Sequence, residues 1–167
     1  MLNSTYYNRR SIRMRGYDYS QSGLYFVTIC TQDRWRLLAE VKNDELVLTD
    51  VGMMINDCWL KMQDRFPNVY VDYYVIMPDH MHFIVRLISD ENKRSRLSEL
   101  VGAFKSISTN LYIQGVKAGR WPSFRNRLWQ RNYYESIIRC ASAYNQIVNY
   151  ILNNPKKWVE GEKMGAQ

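Results

Sequence analysis

The chain has 167 residues, of which 46% are hydrophobic, and its 23 Lys and Arg residues against 16 Asp and Glu give a formal net charge of +7. This length suits one domain with its own core, and no apolar run approaches the roughly 20 residues that span a bilayer. The positive charge favours a polyanionic partner such as nucleic acid, and we expect a cytoplasmic protein with no membrane association.

The three cysteines, Cys30, Cys58 and Cys140, are far apart in the sequence and form no CxxC pair. This spacing argues against a zinc ribbon and against a disulfide framework, and it suits a reducing compartment. We therefore interpret the cysteines as small side chains of the core.

The predicted elements begin after a polar, basic arm at residues 1–20. Residues 24–31 are dense in β-branched and aromatic side chains, which predicts a buried strand. A weaker hairpin follows, with strands at 35–39 and 45–48 on either side of a turn-like segment at 42–44. The next segment has apolar residues at spacings of three and four, which is typical of an amphipathic helix.

The remaining elements alternate between helical and strand patterns. In chain order we predict a helix at 49–65, strands at 69–77 and 80–87, a helix at 97–114, a strand at 128–132 and a helix at 141–153. Pro155 is expected to stop the last helix, because the residue before a proline is disfavoured in the helical region.

This order of elements is typical of the α+β class. It predicts an antiparallel sheet with helices packed on one face, the split βαβ plan of ferredoxin-like and RRM-like domains. We divide the chain into the basic N-terminal arm at 1–20, a single domain at 21–160 and a C-terminal tail at 161–167.

His80 and His82 are the only histidines, and one residue separates them on a predicted strand. Because successive strand side chains alternate between faces, both imidazoles point one way and Met81 points the other. Two adjacent imidazoles form a clamp for a metal ion that keeps open positions for a substrate phosphate. Two solvated histidines at a sheet edge fit the same spacing, so the residues alone leave both interpretations open.

Tyr150 and Asn154 lie four residues apart near the end of the last predicted helix. A pair at this spacing shares a helix face, and such a face can present a nucleophile and a metal ligand together. On the residues alone, packing of the tyrosine ring on the sheet and an asparagine at a helix end before Pro155 are the simpler interpretation.

Basic residues cluster at 9–15, 93–96 and 117–131, and the last cluster is interleaved with aromatic residues. Arg and Lys can hold phosphates while aromatic rings stack on unpaired bases. A solvated basic face over core aromatics is the alternative. The candidate DNA-binding residues are Arg13, Arg15, Lys105, Arg120, Arg125, Arg127, Trp129 and Arg131.

Several segments together resemble a known family. They read GLYFVTICTQDR at 23–34, VIMPDHMHFIV at 75–85, FKS at 104–106, LWQRNYYESIIR at 128–139 and VNYILNNPKKW at 148–158. This ordered combination resembles the single-tyrosine HUH transposases, and within them the REP-associated tyrosine transposases, which are related to insertion-sequence transposases. The resemblance covers nearly the whole chain beyond residue 15.

The resemblance implies a role for each matching residue. His80 and His82 are the metal-binding pair, Tyr150 is the nucleophile, and Asn154 falls where relatives carry a polar third metal ligand. The implied metal is Mg²⁺ or Mn²⁺. The implied reaction cleaves and rejoins single-stranded DNA, beside a hairpin, through a 5′-phosphotyrosine intermediate.

Other features keep alternatives open. Tyr134 is a competing nucleophile beside the basic cluster, and Ser136 stands where relatives often carry His, which leaves room for a catalytically silent protein that binds DNA hairpins or regulates. Tyr70 and Tyr74 on a predicted strand favour, more weakly, an RNA-binding protein of split βαβ type. Insertion-sequence relatives dimerise and exchange their tyrosine helices, so a homodimer and a monomer are both expectations.

Overall fold

The computed structural model describes residues 22–88 and 96–165. Its elements are β1 (Gly23–Cys30), β2 (Ala39–Lys42), β3 (Glu45–Leu48), α1 (Asp50–Leu60), α2 (Met62–Arg65), β4 (Val69–Ile76), β5 (His80–Leu87), α3 (Leu97–Lys117), β6 (Tyr134–Ile138) and α4 (Ala141–Gly165). The predicted arm, with Arg13 and Arg15, and the basic residues at 93–95 lie outside the described residues.

Four strands form an antiparallel sheet in the order β4-β5-β1-β6, and β2 and β3 form a separate hairpin. The α+β class and the split βαβ order are therefore confirmed. β5 is a central strand, and its His80 and His82 lie opposite Cys30 and Thr28 of β1. The two histidines are thus in the middle of the sheet, and the interpretation as solvated residues at a sheet edge is wrong.

Helices cover both faces of this sheet. On one face, α1 and α3 pack against a large core that includes the fully buried Met81 and Phe83. On the other face, Ile151 of α4 packs with Ile84 and Ile138. The placement of helices on one face, as expected from the sequence, holds for α1 and α3 but not for α4. The second face also carries apolar strand residues, and burying them requires a helix there.

The predicted strand at 128–132 is wrong, because the fourth strand of the sheet is β6. In the predicted segment, Trp129 forms only an isolated bridge with Thr31 at the end of β1. Leu128 and Trp129 are buried in the core as loop residues, which explains their strand-like hydrophobicity. The residues of β6 alternate between exposed and partly buried and end on a buried Ile138, which is the pattern of a half-buried strand.

Pro155 does not stop the last helix, so the predicted end at residue 153 is wrong. Proline costs the helix one backbone hydrogen bond and about 3 kcal/mol. Buried side chains on both sides of the proline hold the helix in place, Ile151 before it and Val159 after it. Lys163 adds an exposed ion pair of 2.9 Å with Asp44. α4 therefore includes residues 161–165, which the sequence analysis assigns to a tail.

The hairpin begins later than predicted, at Ala39 instead of residue 35. Leu37 and Leu38 donate backbone hydrogen bonds to the carbonyl of Pro78, so this segment pairs with the turn before β5 instead of with β3. Asn43 and Asp44 form the turn with positive φ angles of 50° and 64°. This geometry is typical of a tight two-residue hairpin turn.

The structure does not favour the RNA-binding alternative. Tyr70 and Tyr74 lie on β4, which is an edge strand. The Tyr74 hydroxyl donates to Asn56 at 2.8 Å, and its ring packs near Trp59 in the core.

In the described part of the chain, no helix combines the length and apolarity needed to cross a bilayer.

Candidate active site

His80 and His82 are both buried, with 6% and 5% of their surface exposed, on the face of the sheet that α4 covers. Their Nε2 atoms lie 3.1 Å apart and their ring centroids 4.6 Å apart. The alternation of β5 therefore brings both imidazoles to one point, as the sequence predicts. Two nitrogens at this spacing can be bridged by a proton or share one metal ion.

The other ring nitrogen of each histidine is fixed by a neighbour. Asp79 Oδ1 lies 2.5 Å from His80 Nδ1, and Asp79 Oδ2 pairs with Arg34 Nε at 3.2 Å. Thr28 Oγ1 lies 2.7 Å from His82 Nδ1. A carboxylate can only accept, so His80 Nδ1 carries the hydrogen and its Nε2 has a free lone pair. This is the arrangement by which proteins orient metal-binding histidines.

Burial keeps both imidazoles neutral. It lowers the pKa of His82 to about 3, and the nearby His80 and Arg34 act in the same direction. Burial also lowers the pKa of His80, although the hydrogen bond that His80 donates to Asp79 opposes that change. Neutral imidazole is the form that binds metal ions, so the pair is prepared for this role near pH 7.

Tyr150 of the same chain reaches this pair. Its hydroxyl lies 3.2 Å from His82 Nε2, and the two rings meet edge to face at 5.2 Å between centroids. The ring of Phe26 lies edge-on to it at 6.1 Å. Tyr150 nevertheless stays 43% exposed, so a large substrate can approach its hydroxyl from solvent.

Tyr134 is farther from the histidines. It pairs with Thr28 on β1, and Thr28 pairs in turn with His82 on β5. The three residues form one row on the same face, which separates Tyr134 from His82 by two strand spacings, or about 9–10 Å. The geometry therefore favours Tyr150 over Tyr134 as the tyrosine that acts with the histidine pair.

Asn154 lies on the face of α4 that is turned to the site. It stands four residues after Tyr150 and four before Trp158, whose ring centroid lies 5.9 Å from that of His80. Among the described residues, the Asn154 amide nitrogen is buried without a hydrogen-bond partner. Such an orphaned group is unfavourable unless a ligand satisfies it. Rotating the Asn154 amide by 180° places its oxygen, which is a suitable metal ligand, where the nitrogen now lies.

The donor set fits a catalytic divalent ion and does not fit a structural zinc ion. Within residues 22–88 and 96–165, no cluster of three or more His, Cys, Asp or Glu residues could hold a metal. The histidine pair supplies two imidazole ligands, whereas a structural zinc ion needs four protein ligands. Such a set leaves positions for substrate oxygens.

The loop after β1 brings Arg34 to the site at a conformational cost. Asp33 and Arg34 have φ angles of 55° and 56°, in the left-handed region that costs roughly 1–2 kcal/mol per residue. The Arg34 guanidinium contacts Asp79 and also donates to Cys30 Sγ at 2.8 Å. The ion pair with the buried Asp79 offsets part of this cost.

Sequence reasoning missed the residues that orient the histidines. Asp79 directly precedes His80, and its local pattern indicates only a turn. Thr28 and Arg34 are distant in sequence, and only the pairing of β1 with β5 brings them to the site. A correct register would have predicted the partner of His82, since Thr28 is the residue opposite it.

The predicted DNA-binding residues divide into two groups. Four arginines of the loop between α3 and β6 are exposed and free to meet a phosphate backbone: Arg120, Arg125, Arg127 and Arg131. Arg120 also lies over the ring of Trp121 at 5.3 Å. The structure thus leaves a basic surface at this loop.

The positions of Lys105 and Trp129 do not suit DNA contact. Lys105 Nζ donates to the carbonyls of Gln130 and Asn132 at 2.8 and 3.1 Å, with that of Arg131 at 3.5 Å. Trp129 is 3% exposed and donates from Nε1 to Ser108 at 2.9 Å. Both side chains hold the loop onto α3, which explains why they occur within the basic and aromatic segment.

The chain is similar in sequence to known proteins over most of its length. The family described as transposase IS200 like matches residues 25–154. An uncharacterized protein of Haemophilus influenzae is 34% identical over 171 residues, covering 96% of this chain and 95% of its own length. The REP-associated tyrosine transposase of Escherichia coli K12 is 27% identical over 145 residues, covering 85% of this chain and 73% of its own length.

A solved structure shares the fold. It is a REP-associated tyrosine transposase bound to a REP hairpin, and it superposes with a TM-score of 0.61 at 23% identity. The match covers 89% of this chain and 74% of that protein.

Proposed function

This chain belongs to the IS200-like transposase family, and we propose that it cleaves and rejoins single-stranded DNA with Tyr150 as its nucleophile. In this proposal His80, His82 and Asn154 hold a divalent ion, Mg²⁺ or Mn²⁺. The observation that carries it is the 3.2 Å distance between the Tyr150 hydroxyl and Nε2 of His82, itself 3.1 Å from Nε2 of His80. A nucleophile and a two-imidazole clamp therefore meet at one point.

The chemical step is an in-line substitution at phosphorus. The Tyr150 oxygen forms a bond to the scissile phosphorus, and the bond from phosphorus to the 3′ oxygen of the preceding nucleotide breaks. The tyrosine loses one proton and the departing 3′ oxygen gains one, which leaves a 5′-phosphotyrosine and a free 3′-OH. Because the new bond is again a phosphodiester, a second 3′-OH can reverse the step and rejoin the strand.

The residues around Tyr150 prepare this step. His80 and His82 are held in their neutral forms with Asp79 and Thr28 at their Nδ1 atoms, so their Nε2 atoms face the phosphate site. The ion, when bound, supplies Lewis acidity toward a non-bridging oxygen of the phosphate. Since Tyr150 is part-exposed while the histidines are buried, DNA approaches from the tyrosine side.

The substrate in this proposal is a single strand beside a hairpin. Two observations support it: the relative bound to a REP hairpin has the same fold, and the exposed arginines of the loop before β6 offer phosphate contacts. A single strand leaves its phosphate free to bend into the site beside α4.

Tyr150 and the histidine pair lie together in one chain. Tyr150 reaches His82 of its own chain, so we propose that a monomer suffices for cleavage and that exchange of α4 between subunits is not required. Ser136 of β6 pairs with Phe26 of β1, whose ring lies 5.4 Å from that of His82. The histidine pair and Tyr150 nevertheless meet at one point in this chain, which favours an active enzyme over a silent hairpin-binding protein.

The test uses a labelled DNA hairpin with unpaired flanks, with and without Mn²⁺. The wild-type chain should cleave the flank only with the ion, and His80→Ala and His82→Ala should lose cleavage while still binding the hairpin. Cleavage that persists in both variants, or in the presence of a chelator, would exclude the metal role.

A further inference from the structure

We propose that the open pocket beside Trp158 binds one unpaired base of the DNA strand, next to the phosphate that is cleaved. The pocket has a volume of about 580 Å³ and is lined by Arg36, Lys157, Trp158, Gly161, Glu162 and Gly165. Pockets of this size accommodate small organic groups. The inference rests on the proposed function, because the base belongs to the strand whose phosphate lies at the histidine pair.

The pocket is one side chain away from the histidines. Trp158 forms its wall, and the same ring lies 5.9 Å from the imidazole of His80. Tyr150, Asn154 and Trp158 follow one another at four-residue steps along α4. A strand with its phosphate at Tyr150 can therefore continue along this helix and present its neighbouring base to the pocket.

The walls have the chemistry that binds a nucleotide. The guanidinium of Arg36 lies over the Trp158 ring at 5.3 Å, and Glu162 accepts from both, at 2.5 Å from Arg36 and 3.2 Å from Trp158 Nε1. Aromatic rings and guanidinium planes are the surfaces on which unpaired bases stack. Lys157 adds a second cation, so two cations and one carboxylate line the pocket, which suits a DNA backbone.

The floor of the pocket is open because two helical residues have no side chain. A Cβ atom built at Gly161 or at Gly165 meets no atom within 4 Å. Glycine weakens a helix relative to alanine, and the packing of the described residues does not require it at either position. A larger side chain at residue 161 would fill the pocket without disturbing the core.

The experiment measures base binding in the Tyr150→Phe chain, which keeps cleavage out of the measurement. The probe is a DNA hairpin with unpaired flanks that carries 2-aminopurine at each flank position in turn. Binding should quench the fluorescence at one position, where the base stacks. Adding Gly161→Leu should abolish this quenching and raise the Kd for the flanked hairpin about five- to 150-fold, the factor that one base stack contributes.

Gly102→Leu is the matched control, because Gly102 is also an exposed helix glycine whose Cβ would meet no atom within 4 Å. It should change neither the quenching nor the Kd, and circular dichroism checks that both variants fold. Equal quenching at all positions, or quenching and Kd unchanged by Gly161→Leu, would overturn the pocket. Adduct formation by the wild-type chain is scored separately, so base binding without an adduct would reject the proposed function and leave the pocket standing.

Discussion

The Asp79 carboxylate lies 2.5 Å from Nδ1 of His80, while its second oxygen is held by Arg34 at 3.2 Å. Asp79 is 5% exposed, and its contact with His80 turns the free lone pair of His80 toward His82. A residue that the sequence presents as part of a turn therefore decides which nitrogen of His80 can bind a metal.

Asp79→Asn should weaken Mn²⁺ binding about 10- to 100-fold, because a neutral amide no longer fixes the tautomer and orientation of His80. Isothermal titration with Mn²⁺, without DNA, measures this directly. Asp72→Asn is the matched control, since Asp72 accepts a hydrogen bond from Tyr144 and contacts neither histidine in the structure. Its Mn²⁺ affinity should equal that of the wild type.

Thr28→Val gives a graded comparison, because it removes the neutral hydroxyl at His82 Nδ1 with little change in shape. Hydrogen bonds to a charged group are about twice as strong as neutral ones, so this loss of affinity should be smaller than that of Asp79→Asn. Equal Mn²⁺ affinity in the wild type and Asp79→Asn would show that Asp79 does not position the ligand.

Lys105→Met should destabilise the fold by about 1–3 kcal/mol, since the carbonyls that Lys105 binds lose their donor. The effect is measured as the free energy of unfolding in urea. Lys61→Met changes an exposed lysine at the end of α1 and should stay within about 0.5 kcal/mol of the wild type. Equal stability of both variants would mean that Lys105 is not a structural residue of the loop.

The same lysine predicts a dependence of stability on pH. Burial lowers the pKa of Lys105 to about 8 from 10.5. Between these values the unfolded chain keeps a proton that the folded chain releases, so the free energy of unfolding rises with pH across this window. The wild type should therefore gain stability relative to Lys105→Met from pH 8 to 10. A difference in unfolding free energy between the two chains that does not change with pH would show that the loop carbonyls keep the pKa of Lys105 at its ordinary value.

Arg125→Ala should reduce the salt dependence of single-strand binding. Each phosphate contact that is lost lowers the slope of log Kd against log salt by about 0.7. Fluorescence anisotropy over a range of NaCl concentrations gives this slope. Lys61→Ala, which removes a cation from outside the basic loop, should leave the slope unchanged; an equal change in both variants would point to net charge instead of a local contact.

The sequence predicts strands β1, β4 and β5 and the histidine pair well, because each depends on the local pattern along one strand, whereas it places the fourth strand wrongly. The β5 pattern places His80 and His82 on one face, and the structure confirms it. The predicted end of α4 was wrong, because the local cost of Pro155 is offset by tertiary packing of the buried Ile151 and Val159 on either side of it. Local patterns cannot reveal contacts of this kind.

The structural roles of Trp129 and Lys105 could not be predicted from the sequence either. Both occur in segments with the composition of a nucleic-acid surface, but the fold turns them inward to Ser108 and to the loop carbonyls. Arg125 and Arg127, with the same local pattern, remain exposed. Burial alone separates the two groups, and it depends on how the loop packs on α3.

The most direct test of Tyr150 as the nucleophile identifies the tyrosine that carries DNA after cleavage. The wild-type chain is incubated with Mn²⁺ and a labelled hairpin, and the covalent adduct is digested and read by mass spectrometry. We expect a nucleotide on Tyr150, no adduct in Tyr150→Phe and an undiminished adduct in Tyr134→Phe. An adduct that survives in Tyr150→Phe and maps to Tyr134 would contradict this assignment.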